Sequence, residues 1–322
     1  LDRPPSIWGD RHDEEVGPHG SGGAQPGAAG PRRCRPGRCR RRPATAVAAD
    51  PSAPGAHAAG YVDTTVSAAG RSFSARIYYP ATTAGSGQPV ATGRFPVIAF
   101  GHGFLQGVSK YYSTISHLAT WGFIVVAPTS QGGFSPDHSA FADDLNAALT
   151  WAVAQDTTSG SRFAGHVSVD RLGLSGHSMG GGASILAAAR NPKVVTVANL
   201  AAAETNPSAK TAAATLTIPV RLIGGDRDTI AGVADHQRPI YTAKPPAKQL
   251  RIITGGFHCG FMDSGSLFCD SGSISRATQL TLSRRLLTEW FLRHLAGDTT
   301  YDDAVWGPPA QNDPQVTFEG VR

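Results

Sequence analysis

One pentapeptide limits what this 322-residue chain can become more than any other segment. Gly176-His177-Ser178-Met179-Gly180 sets a serine between two glycines, directly after the apolar run Arg171-Leu172-Gly173-Leu174, which reads as a short buried strand. The following Gly181 to Arg190 (GGASILAAAR) reads as a helix with small residues on its first turn. A serine at such a strand-to-helix junction must take a strained backbone, and the flanking glycines let neighbouring elements come close. Its hydroxyl then stands clear of the sheet near the positive end of a helix, placed to attack a carbonyl. Glycine makes up 38 of the 322 residues, so the bare pattern arises by chance in roughly a third of such chains. Its meaning depends on its surroundings.

From Gly60 onward, short apolar strands alternate with helical segments. Tyr61–Val66 and Ser72–Tyr79 read as two antiparallel strands turned at Gly70. Phe95–Phe100 (FPVIAF) is a continuous apolar run of the kind buried on both faces, and Phe123–Ala127 (FIVVA) follows a helix over Tyr111–Thr120. Asp137 or Ser139 can cap a helix to about Ala154, carrying Phe141, Leu145, Leu149 and Trp151. After the serine come three more strands, Val194–Leu200, Ile218–Ile223 and Gln249–Ile253, and a closing helix from Arg276 to Leu295. This order predicts an α/β fold with a mostly parallel central sheet and helices on both faces, the first two strands forming an antiparallel edge.

A serine nucleophile needs a base, and the base needs a carboxylate to orient it. In a parallel sheet these groups come from loops at the carboxyl ends of strands. Ile218–Ile223 runs into Gly224-Gly225-Asp226-Arg227-Asp228-Thr229-Ile230, which offers two acids. Gln249–Ile253 runs into Thr254-Gly255-Gly256-Phe257-His258, which offers one histidine. Ser178, Asp228 and His258 therefore follow in the order serine, acid, base, each at a strand end; Asp226 is the alternative acid, and His102, His117, His138 and His177 are alternative bases. The amide of Met179 and that of Phe104, in the turn Gly101-His102-Gly103-Phe104, are the expected oxyanion donors. The Phe104 ring and the Met179 thioether are expected to flank the scissile carbonyl. Only about 50 residues separate Ser178 from Asp228, so Ala201–Thr217 is too short for a lid domain and the cleft should be open.

Composition narrows the remaining classes. The formal charge of +5 is local: residues 1–43 carry nine arginines against five acids, leaving a near-neutral remainder. Nucleic-acid binding by the remainder is not expected, and no apolar run reaches membrane-spanning length. Residues 1–48 are expected to be disordered, either a basic arm for RNA or a membrane surface or a segment with no folded role, ahead of one catalytic domain over 49–322. Thr45-Ala46-Val47-Ala48-Ala49-Asp50 has the small residues of a secretory cleavage site, although no apolar core precedes it. Cys259 and Cys269 are either free thiols of a reducing compartment or a disulfide contributing roughly 3 kcal/mol; with the cleavage-like site, the bridge and a secreted protein are expected. Cys34 and Cys39 lack the two further ligands of a zinc ribbon, and no metal or organic cofactor is expected.

GHSMGGG, the His102-Gly103-Phe104 turn, GGDRDTI and GGFH resemble the α/β-hydrolase superfamily. Within it they are similar to bacterial cutinases, poly(ethylene terephthalate) hydrolases and related small esterases, over about residues 60–296. The resemblance implies Ser178 as nucleophile, Asp228 as acid, His258 as base, Phe104 and Met179 as oxyanion donors, and Ile230 as a substrate-cleft wall. It implies a serine esterase whose partner is a small or polymeric ester, and a monomer is expected. Where the polyesterases carry a tryptophan that stacks on aromatic substrate rings, this chain reads Leu200-Ala201-Ala202-Ala203-Glu204. The cysteine pair also directly follows the histidine instead of lying near the C-terminus. The alternatives are an esterase of small or lipid-like esters (chlorophyllase- or acetylhydrolase-type), an acyltransferase, a hydrolase-fold binding protein, or a nucleic-acid binder acting through its basic tail.

Overall fold

A computed structural model describes residues 48–322, so the expectation for residues 1–48 lies outside the described residues apart from Ala48. Ten strands form one mixed sheet in the order β10-β9-β8-β7-β6-β4-β5-β2-β1-β3. They are β1 (Ala58–Ala68), β2 (Arg71–Ala81), β3 (Gly85–Ser86), β4 (Phe95–Gly101), β5 (Ile124–Pro128), β6 (Val167–His177), β7 (Val194–Leu200), β8 (Val220–Gly225), β9 (Lys248–Ile253) and β10 (Val316–Val321). The six strands from β9 to β5 are parallel. β2 joins β5 antiparallel and β1 joins β2 antiparallel, the edge expected from the Gly70 turn. The chain has an α/β-hydrolase fold, and among the described residues there is no lid domain, since the link from β7 to β8 holds only the five-residue helix Ala209–Ala213.

The sheet is buried because its side chains feed two cores in alternation. On β4, Val97 and Ala99 point to one face, and Ile98 and Phe100 to the other. The first face is covered by the helices His138–Gln155 and Met179–Arg190, through Phe141, Leu145, Leu149 and Ile185. The second is covered by Tyr112–Thr120 and Arg276–Phe291 through Ile115, Leu118, Leu286, Leu287 and Trp290. Asp137 caps the 138–155 helix, its carboxylate accepting from the Ala140 amide at 2.9 Å. The closing helix stops at Phe291 and widens into a π-turn over Leu292–Ala296, ended by Gly297 at φ 80°.

The sequence pattern did not reveal β10, which pairs antiparallel with β9 along the other edge. It is an edge strand with only Val316 fully buried, so its alternation is faint. Among the described residues, no helix is long and apolar enough to cross a membrane.

Candidate active site

The chain leaves β4 toward β5 on one side and returns to β6 on the other, so the order of the sheet reverses between β4 and β6. Gly101 and Gly176 lie in register there, and the loops that follow them diverge, opening a crevice at the carboxyl ends of the strands. Ser178 stands in that crevice with φ 56° and ψ −120°, between β6 and the 179–190 helix. Its side chain makes no capping bond to the helix, leaving the hydroxyl unused by the fold. The strained backbone is held from three sides: the Ser178 amide donates to Leu200, and its carbonyl accepts from Gly182 and Ala203 at 2.9–3.1 Å. Gly180 permits the close approach of this turn to β4, since a Cβ there would lie 2.2 Å from the Gly101 carbonyl.

β8 and β9 deliver the acid and the histidine. His258 Nδ1 donates to Asp228 Oδ2 at 2.8 Å, while Asp228 Oδ1 accepts from the amides of Ile230 and Ala231 at 2.9 and 2.7 Å. With its proton on Nδ1, a neutral imidazole presents Nε2 as an acceptor. Ser178 and His258 line the same cavity, and none of the hydrogen bonds among the described residues joins them directly. Asp226 instead accepts from the Gly255 amide at 2.7 Å. The other histidines are engaged elsewhere: His102 with the carbonyls of Gly103 and Ser130, His117 with Pro51, His138 with Asn206.

His177 is buried beside the His258 ring, with centroids 4.5 Å apart. Its Nδ1 shares a 2.9 Å hydrogen bond with the Tyr111 hydroxyl, which also accepts from the Gly103 amide at 3.0 Å. Tyr111 thereby ties the loop carrying Phe104 to the end of β6, directly before Ser178, a link that sequence spacing does not reveal.

Burial holds three histidines neutral. It drives the His177 imidazole well below its ordinary range and brings His117 down to about 4 and His294 to about 3. In the unfolded chain each titrates near 6.5. Below that pH the unfolded state binds more protons, so their contribution is intact above about pH 6.5 and is lost as pH falls toward 4. The melting temperature should therefore be lower at pH 4.5 than at pH 7.5 by at least about 5 °C. Calorimetric melts across this range would refute the reading if the midpoint stayed flat.

The cavity above Ser178 encloses about 430 Å³ and is mainly apolar. Eight large hydrophobic side chains are exposed among the described residues, and six of them line it: Phe104, Leu105, Phe134, Ile230, Leu267 and Phe268. Phe134, Leu267 and Phe268 are 86%, 90% and 84% exposed. Met179 differs from expectation. Its thioether is buried in the core beneath the turn, because the first turn of the helix packs inward, and the methionine that lines the cavity is Met262. The expected pairing of a Phe104 ring with a Met179 side chain is thus not what flanks the cavity; only the Met179 amide is left at the turn. The Cys259–Cys269 disulfide is present, with Cα atoms 5.5 Å apart.

Residues 39–320 match the model of the PETase family, described as PET hydrolase-like. The chain belongs to this family. Cutinase est1 of Thermobifida alba is 31% identical over 158 residues, 49% of this chain and 50% of that protein. A bis(hydroxyethyl) terephthalate hydrolase of Streptomyces coelicolor is 26% identical over 252 residues, 76% of this chain and 69% of that protein. A cutinase of Thermobifida fusca is 33% identical over 129 residues, 40% of each chain. The chain thus spans about half the length or less of these Thermobifida cutinases. The Ala203 amide donates to the Ser178 carbonyl, and its own carbonyl packs against Gly182. The aromatic rings at this cavity come from other loops, through Phe104, Phe134 and Phe268.

Proposed function

We propose that this chain is a secreted, monomeric serine hydrolase of carboxylic esters, with an open cleft suited to polyesters such as poly(ethylene terephthalate) or cutin. The observation that carries the reading is His258, hydrogen-bonded to Asp228, sharing one apolar cavity with a serine held at φ 56°. In this reading His258 Nε2 takes the Ser178 proton as Oγ attacks the ester carbonyl. The tetrahedral oxyanion is held by the Phe104 and Met179 amides, and its collapse expels the alcohol, which leaves with the proton from His258. Water then attacks the acyl-enzyme by the same route and releases the acid. Asp228, fixed by two amides of its own loop, keeps Nδ1 protonated and stabilises the imidazolium. Family membership and the similarity to cutinases and a terephthalate diester hydrolase support the reading.

A second reading, an esterase of small or lipid-like esters without polymer activity, is favoured by Ala203, which stands where the resemblance to the polyesterases implies a ring-stacking tryptophan. A hydrolysis panel from acetyl to long-chain esters, with cutin and aromatic polyester films, separates the two. Soluble products released from films by the parent protein and not by Ser178→Ala are expected. Turnover confined to short soluble esters would select the second reading. Replacing Phe134 and Phe268 together by alanine should lower film hydrolysis by about 30-fold while leaving acetyl ester turnover within about twofold, because each ring contributes on the order of 1 kcal/mol of contact with an aromatic substrate.

A further inference from the structure

The segment after His258 is closed by the Cys259–Cys269 disulfide and returns the next residue, Asp270, to the base of the loop. There the Asp270 carboxylate accepts three main-chain hydrogen bonds. Oδ2 takes the amides of His258 at 2.8 Å and Thr229 at 3.2 Å, and Oδ1 takes that of Cys259 at 3.0 Å. Two of these amides belong to the loop of the histidine, and the third directly follows Asp228 in the loop of the acid. One side chain therefore joins the two loops whose relative placement sets the 2.8 Å His258–Asp228 contact. Charge-assisted bonds of this kind are about twice as strong as neutral ones.

The remainder of the loop is fastened independently. Lys110 Nζ donates to the Ser264 hydroxyl and the Gly265 carbonyl, both at 2.8 Å, Asp263 accepts from the Ser113 amide at 2.9 Å, and Arg276 donates to the carbonyls of Cys259 and Met262. These contacts hold Cys259 and the stretch from Met262 to Gly265, which leads to the Leu267 and Phe268 that line the cavity, without touching the acid loop. Loss of Asp270 should thus loosen the imidazole against its carboxylate while leaving the cavity wall in place.

We infer that Asp270 is a positioning residue for His258, held in register by the Cys259–Cys269 bridge, which makes this disulfide part of the catalytic geometry as well as of stability. The inference rests on His258 being the base. It predicts a loss in kcat with little change in KM, since substrate contacts are untouched and a displacement of about 1 Å at the reacting atoms lowers rates about 100-fold.

The test compares the parent protein with Asp270→Asn, Asp270→Ala, the double variant Cys259→Ser/Cys269→Ser, and the triple variant combining that pair with Asp270→Ala. Turnover of p-nitrophenyl butyrate is measured per serine titrated with a fluorophosphonate, so misfolded protein does not count. Asp270→Ala is expected to lower kcat about 10- to 100-fold with KM within twofold, and Asp270→Asn, which keeps one acceptor oxygen, to fall between it and the parent. The triple variant should be no slower than Asp270→Ala, because the bridge and the carboxylate act on one displacement. A kcat per titrated serine within twofold of the parent for Asp270→Ala would overturn the inference, as would defects that multiply in the triple variant. His258→Ala serves as the control for the underlying reading: full activity there would remove the base assignment itself, a result distinct from an inert Asp270.

Discussion

Ser178→Ala is expected to lower ester turnover by about 10⁵- to 10⁶-fold while leaving the protein folded. The size follows from what the substitution removes. No other hydroxyl at the turn can take over, since the neighbouring Met179 and Gly180 are a thioether and a glycine, and His177 is bound to Tyr111. The amides around the carbonyl stay in place, so substrate binding should survive with an almost unchanged dissociation constant. The fold should be nearly indifferent. The Ser178 hydroxyl caps nothing, and alanine meets the same backbone strain at φ 56°, so stability should stay within about 1 kcal/mol. Turnover of a p-nitrophenyl ester and a thermal melt check both halves. Residual activity above a few per cent of the parent, in protein free of contamination, would mean that another group is the nucleophile.

Gly180→Ala, unlike Ser178→Ala, should harm fold and activity together. A methyl at this position would sit 2.2 Å from the carbonyl of Gly101 and 2.6 Å from that of His102. Both are backbone atoms, which cannot rotate aside, so β4 and the 179–190 helix must separate. The loop that must move runs directly into Gly103 and Phe104, whose amide is a proposed oxyanion donor. Overpacking of this kind costs about 2–3 kcal/mol, and the displaced donor should remove about 100-fold or more from kcat. Denaturant melts and steady-state rates per titrated serine would measure the two effects. Parent-like kcat with lowered stability would show that the turn moves without disturbing the reacting atoms.

Much of the architecture was legible because its signals are local. The apolar run Val194–Leu200 alone bounds β7, and Asp137 or Ser139 marks the start of the helix that Asp137 caps. The alternation of Val97 and Ala99 with Ile98 and Phe100 follows from a strand buried on both faces. β10 escaped notice because an edge strand with one fully buried residue differs little from a loop in composition.

The candidate site divides in the same way. Asp228 and His258 could be named from their strand ends, and the structure brings them to 2.8 Å. Phe134 and Asp270 carry no mark in the sequence: one sits in a glycine- and serine-rich turn, the other beside a cysteine in a loop. Leu267 and Phe268 did leave a faint trace, a second pair of large apolar residues after Phe261 and Met262 inside a cysteine-closed segment. The Met179 side chain was misplaced for a related reason. Its position after the serine identifies an amide at the turn, but only the packing of the helix decides that the thioether points into the core.

The order of serine, acid and histidine, the period of the strands and the glycines of the turn were determined by the sequence itself, because each depends on residues within one or two elements. Which loops meet was decided only by the tertiary structure. The reversal of strand order between β4 and β6 opens the crevice, and the 259–269 bridge returns Asp270 to two loops remote in sequence. Contacts of that kind arise from the closure of long stretches of chain onto a common sheet edge, and no local pattern encodes them.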